Sequence, residues 1–279
     1  MTRGKVVALA LLLAVLTAVG GRAQAATDAP ALLFVVTGQS NAGQQGSAGQ
    51  LTPAQRAAVE GAWYYAPQHT RQHALLPMQP YGGTFGIEVS FARAVRAATG
   101  RDVVIAKVYS GGTSIIAWDP DAPNAGWKTE LAKVGNSGKP AMYPRVVNVA
   151  ADAAAAYTAA TGQTVEMAGV LYIQVERDSK MSYGAARYED NLKGLIAALR
   201  AEWAAARLPV VFIDSHTNMN SGGPTVHQAV VDVAADVPGT AWVPVRDLTK
   251  KPDNVHFDSA GVLALGERLA AAWLALEGE

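Results

Sequence analysis

Four short runs, at 31–37, 103–108, 167–173 and 210–214, are apolar at almost every position and rich in valine and isoleucine. A strand with one wet face alternates polar and apolar residues. Runs without alternation belong in a sheet buried on both sides, which in practice is a parallel sheet covered by helices. The intervening segments agree: helical spacing is found at about 88–99, 143–161, 183–206, 225–235 and 259–276. A weaker strand is expected at 241–245 and an irregular edge strand at 62–65. Strand-helix alternation of this kind predicts a three-layer α/β/α sandwich with a mostly parallel sheet. Ligands of such sheets sit outside the carboxyl ends of the strands. Ser40, Gly111-Gly112 and Gln174 each follow a predicted strand closely, so all three should share that edge.

The N-terminus predicts export. Arg3 and Lys5 precede an apolar stretch at 6–19, and Ala23-Gln24-Ala25 offers a small-x-small cleavage site. This is the pattern of a secretory signal cut after Ala25, leaving one domain over 26–279, secreted or periplasmic. The stretch is shorter than the ~20 residues that span a bilayer, and no other segment reads as a span. Loss of Arg3, Lys5 and Arg22 leaves 20 basic against 23 acidic side chains, a net charge of about −3. A mildly acidic chain without a basic run carries no electrostatic footprint for nucleic acid or an anionic membrane. The absence of cysteine excludes disulfides, thiol chemistry and thiolate metal sites.

Gly38-Gln39-Ser40-Asn41 ends the first strand, and Asp253-Asn254-Val255-His256 precedes the last helix. A serine on a strand-to-helix turn exposes its hydroxyl and leaves a backbone amide free to meet an oxyanion. A late Asp-x-x-His can supply the base and the carboxylate that orients it. The bland alternatives are a helix N-cap for Ser40 and a turn-capping acid for Asp253. Ala42 breaks the G-x-S-x-G elbow, the serine follows the first strand, and acid and base share one segment. These three features disfavour the α/β-hydrolase arrangement. His69 and His73, four apart, lack a third ligand for a metal, and Asp119, Asp121 and Asn124 lack the spacing of a calcium cage. His216 and His227 are weaker candidates for the base. Glu176 and Asp178 lie on one face of an extended segment but have no sugar-binding frame for glycoside cleavage. A buried structural role for Glu176, bonded to backbone or to the Ser40 turn, is the better expectation.

The first block resembles that of the SGNH hydrolases, in the branch holding sialate O-acetylesterases and the acetylxylan esterases of carbohydrate esterase family 6. Gly86-Ile87-Glu88-Val89-Ser90-Phe91 is similar to that branch's G-P-E-x-x-F. Lys107 through Ser110-Gly111-Gly112-Thr113 to Trp118 is similar to its K…GGT…W, and Gln174-Val175-Glu176-Arg177-Asp178 to its Q-G-E-S-D. The blocks keep their order across nearly the whole segment after the leader. The resemblance implies a flavodoxin-like sheet, Ser40 as nucleophile, His256 as base and then acid, and Asp253 as its orienting partner. It implies an oxyanion hole from the amides of Ser40 and Gly112 and the side chain of Gln174. No cofactor or metal is implied, and the substrate implied is an acetylated oligo- or polysaccharide.

Two departures bear on the site. Val175 stands where the branch has glycine, so it can narrow the acyl pocket or re-aim Gln174. Arg177 stands where it has serine, and is expected either on the rim, facing an acidic sugar, or in a pair with Asp178 or Glu176. Of the aromatics Trp63, Tyr64, Tyr65, Tyr109, Trp118 and Trp127, the expected sugar platforms are Trp118 and Tyr109, with packing the alternative for the rest. Two other functions fit parts of the pattern: a carbohydrate-binding domain with a decayed site, and an esterase acting on lipid or aryl esters.

Overall fold

The first apolar run folds as β1 (Ala31–Gly38), in which every residue is buried, as a strand covered on both faces must be. The structure, a computed structural model, describes residues 29–214 and 222–278; the leader expected at 1–25 and His216 lie outside them. The other strands of the main sheet are β2 (Val59–Tyr65), β3 (Leu76–Met78), β4 (Val103–Tyr109), β5 (Val165–Ile173), β6 (Val210–Ile213) and β7 (Thr240–Val243). They lie in the order β3-β2-β4-β1-β5-β6-β7, and every neighbouring pair is parallel except β2 with β3. Leaving aside that edge pair, the order is the flavodoxin one, and the chain departs from β1 first to one side and then to the other.

The flanking helices are α1 (Glu88–Thr99), α2 (Tyr143–Thr161), α3 (Tyr188–Glu202), α4 (Gly223–Asp236) and α5 (Ser259–Glu277). Strand alternation assigns their faces. Phe34 aligns with Ile105 and Tyr64, whereas Leu33 aligns with Val104 and Trp63. The Phe34 ring meets Phe91 of α1 and Trp273 of α5 edge-on, both at 4.9 Å. Trp63, on the opposite face, meets Tyr157 of α2 at 6.4 Å. The three layers follow.

Three details differ from the sequence expectation. The stretch at 183–206 is two helices, Ser182–Ala185 and α3. A side chain at Gly184 would place its Cβ 2.4 Å from the buried Asp178 carboxylate, so the first turn is pinned there. A helix at Ala125–Lys133 went unread; Asn124 caps it, accepting from Trp127 N at 2.7 Å. Finally, α5 does have the length and hydropathy to cross a membrane. It instead buries Leu265, Leu269 and Trp273 in the core.

Candidate active site

Gly38 pairs in register with Tyr109 on one side and Ile173 on the other, so the three central strands end level. Ser40, Gly111-Gly112 and Gln174 therefore leave the sheet from one edge. Gly38 makes the turn possible. Its φ is 138°, and a Cβ there would lie 2.1 Å from the carbonyl oxygen of Ile173. Such a conformation with a side chain costs about 1–3 kcal/mol before the clash is counted. Gly38→Ala is expected to lower the denaturant midpoint and to remove activity, because β1 and β5 must part to admit the methyl group. An unchanged urea midpoint would contradict this.

Beyond Gly38, residues Ser40–Ala42 form a single 3-10 turn. The Ser40 hydroxyl lies 2.8 Å from His256 Nε2, and His256 Nδ1 lies 2.8 Å from Asp253 Oδ2. A carboxylate only accepts, so Nδ1 carries the ring proton and Nε2 is left to accept from the serine. The i, i+3 spacing works because Asp253 turns back on its own loop. Its Oδ1 accepts from the amides of Val255 (2.8 Å) and His256 (2.9 Å), while Oδ2 faces the ring. The hydrogen bond from His256 and these two amides hold the Asp253 carboxyl well below the usual carboxylate range.

Buried Glu176 fixes the serine turn. It accepts from Gln39 Nε2 and, at 2.5 Å, from Asn41 Nδ2, the residues on either side of Ser40. Asn41 also donates to Val255 O (3.0 Å) and accepts from Phe257 N (3.2 Å), so a single amide ties the serine turn to the histidine loop. Burial pushes the Glu176 carboxyl up, against the opposing bond from Asn41. The expected structural role of Glu176 is the one the structure gives it.

The Gly111-Gly112 loop lies against the serine: a Cβ built on Gly111 would be 3.9 Å from Ser40 Cβ. The amides of Ser40 and Gly112 donate to no group among the described residues. Gln174 differs from expectation. Its Nε2 already donates to Thr113 O (2.8 Å) and to Asp178 Oδ2 (2.6 Å), and its Oε1 is buried without a partner. Thr113 O can only accept, which fixes the end of the amide that bears nitrogen. With both protons committed, Gln174 braces the loop rather than donating to an oxyanion. Asp178 completes the brace, accepting from Ser114 Oγ (2.5 Å) and Ile115 N (2.9 Å).

Two of the three expected sugar contacts also change. Trp118 is 1% exposed, donates to Thr37 Oγ1 at 3.1 Å and packs edge-on against Tyr172; it is a core residue. Arg177 is half-buried and pairs with no carboxylate by a direct bond among the described residues. Its guanidinium donates to Val134 O (2.9 and 2.5 Å) and Gly135 O (3.2 Å). Tyr109 is half-buried at the edge, with its ring where a Cβ on Gly43 would go. Val175 is fully buried and its φ is negative, at −153°, so the position does not call on the left-handed freedom of a glycine. His69 contacts Tyr64 OH and Thr84 Oγ1, and no cluster of three metal-ligating side chains occurs among the described residues. His227 pairs with Asp214 at 2.6 Å, away from Ser40. Sequence reasoning missed Asn136 and Lys139, which grip Gly112 O (3.1 Å) and Gly111 O (2.5 Å), because nothing in a polar turn tells which carbonyls it will meet.

A family model described as carbohydrate esterase, sialic acid-specific acetylesterase, matches residues 30–275. No curated protein matches the chain. Among solved structures, a protein from Arabidopsis thaliana superposes with TM-score 0.68 at 19% identity, over 88% of this chain and 99% of that one. NanS superposes with TM-score 0.64 at 14% identity, over 89% and 98%. XAC1771, a carbohydrate acetylesterase from Xanthomonas citri, does so with TM-score 0.66 at 20% identity; 88% of this chain is aligned, spanning 57% of that one. At these identities the likeness carries the fold.

Proposed function

The chain belongs to the carbohydrate esterase, sialic acid-specific acetylesterase family and is a carboxylic ester hydrolase; from that premise we propose that it is an exported enzyme that removes acetyl groups from carbohydrate hydroxyls through an acyl-Ser40 intermediate. The observation that carries the reading is the unbroken Ser40–His256–Asp253 chain, with both links at 2.8 Å. Ser40 Oγ attacks the ester carbonyl as His256 Nε2 takes its proton. The tetrahedral oxyanion meets the amides of Ser40 and Gly112. His256 returns the proton to the departing sugar oxygen, then activates the water that clears the acetyl group. Asp253 stays ionised throughout and holds the imidazole in its working tautomer.

A groove of about 500 Å³ close to the turn offers side chains that can hydrogen-bond a sugar. It is lined in part by Gln44, Gln45, Thr84, Lys250 and Lys251, and Gln45 Nε2 donates to Ser40 O at 2.8 Å. Acetate release from acetylated sialosides, acetylated xylan and acetylated monosaccharides tests the substrate class. Release from at least one, faster than from simple alkyl acetates, is the expected result. Glycan binding without release would instead indicate a decayed site, and faster turnover of long-chain esters would indicate a lipid esterase.

The pH profile follows from the same geometry. The carboxyl of Asp253 is held low, so it stays charged in mild acid and adds no second proton to the acid limb. The acid limb of kcat/KM should therefore fall tenfold per pH unit, the slope of one general base. A limb of slope two would mean that Asp253 is protonated in the same range.

A further inference from the structure

Three consecutive peptide units follow the fourth strand, and each is held from outside. Lys139 Nζ donates to Gly111 O at 2.5 Å, and Asn136 Nδ2 donates to Gly112 O at 3.1 Å. Asn136 Oδ1 accepts from Ser114 N at 2.6 Å, while Gln174 takes Thr113 O. The first of these bonds has a specific consequence. Gly111 C=O and Gly112 N–H belong to one planar trans peptide and point in opposite directions. A group that fixes the carbonyl therefore fixes the amide. Here that group is an ammonium, which also draws electron density toward the oxygen and leaves the N–H a stronger donor. Gly111 lies against Ser40, and the Gly112 amide is free to donate.

The grip on Gly111 is itself anchored. Lys139 N donates to Asn136 O at 2.8 Å, and Asn136 is only 3% exposed. The turn ahead of Asn136 is clamped by Arg177 through Val134 O and Gly135 O. Arg177 N in turn donates to Gln39 Oε1, beside the nucleophile, at 3.3 Å. One residue thus spans the nucleophile turn and the loop that carries Lys139. This gives a physical use to an arginine in the place of the serine expected there.

We propose that Lys139 is a positioning residue of the oxyanion hole, aiming and polarising the Gly112 amide through the Gly111–Gly112 peptide, from a lysine-bearing loop that Arg177 locks in place. The proposal rests on the acyl-Ser40 reading above. Its test compares Lys139→Met and Lys139→Arg with wild type on an acetyl ester. The readouts are kcat, KM and inhibition by methylboronic acid, whose tetrahedral serine adduct places an oxygen in the oxyanion position. A displacement of about 1 Å at a reacting group costs up to about 100-fold. Lys139→Met should therefore lose roughly 10- to 100-fold in kcat with KM unchanged, weaken boronate binding by a similar factor, and melt as wild type does. Lys139→Arg should recover most of both losses. Arg177→Ser should show the same signature in weaker form. Wild-type kcat in Lys139→Met, a loss confined to KM, or unchanged boronate affinity overturns the proposal. Activity that survives in Ser40→Ala overturns the acyl-serine reading itself, and the proposal with it.

Discussion

Ser40→Ala is expected to abolish acetyl-ester hydrolysis, by about 10⁴-fold or more in kcat, while the protein folds and melts as before. The magnitude follows from what the substitution removes. The nucleophile and the acceptor of its proton act as a unit, and deleting either member of such a pair costs most of the chemistry that the whole triad supplies. Binding should persist, because the groove beside the turn keeps its lining. The contrast is read most cleanly on 4-nitrophenyl esters from acetyl to octanoyl: wild type turns over the acetate best and fades with chain length, whereas the variant stays at background throughout. His256→Ala should behave like Ser40→Ala. Appreciable turnover by Ser40→Ala would move the nucleophile elsewhere and leave the 2.8 Å contact with His256 without a catalytic purpose.

Lys107→Met should be the most destabilising single change short of breaking the core. Lys107 Nζ lies 2.6 Å from Glu88 Oε2, with both side chains almost wholly buried. It also donates to Gly43 O at 3.2 Å, three residues after the nucleophile. Burial pushes the Lys107 ammonium down, opposed by the Glu88 charge. Removing one member of such a pair leaves an uncompensated buried charge and typically costs about 3–5 kcal/mol. Glu88 would still hold Gly86 N (3.2 Å) and Gln44 Nε2 (3.0 Å), too little to replace a cation. The cost lies in the buried charge left on Glu88, so removing that charge should relieve it. In urea melts, Lys107→Met with Glu88→Gln should recover much of the loss. A double variant no more stable than Lys107→Met would assign the cost to packing instead.

The sheet and the triad were legible in the sequence for different reasons. Uninterrupted apolar runs can only be strands buried twice over, and α1 and α2 end where Gly100 and Gly162 stop the helical pattern. The Ser40–His256–Asp253 arrangement could be read because it rests on local turns: an i, i+3 spacing and a glycine before a serine. Trp118, Arg177 and Gln174 were misjudged for one shared reason. Each was placed correctly along the chain, but which way its polar atoms turn depends on partners distant in sequence, Thr37, Val134 and Thr113. Local pattern carries no record of those partners. Asn124 shows the converse: its cap is local, accepting from an amide three residues on, at Trp127.

Asn41 joins the serine turn to Val255 and Phe257 across more than two hundred residues. A ribosome makes Ser40 early and His256 nearly last. While the chain grows, the serine turn lacks not only its histidine but also two of the three contacts that hold its own asparagine in place. α5, which comes later still, sets Trp273 against Phe34 of the strand that carries the turn. On the acyl-serine reading, catalytic competence therefore waits until the final segment closes over the first. A nascent or C-terminally clipped chain ending before Val255 should bear a serine but hydrolyse nothing, and the ester substrates it meets during synthesis pass untouched.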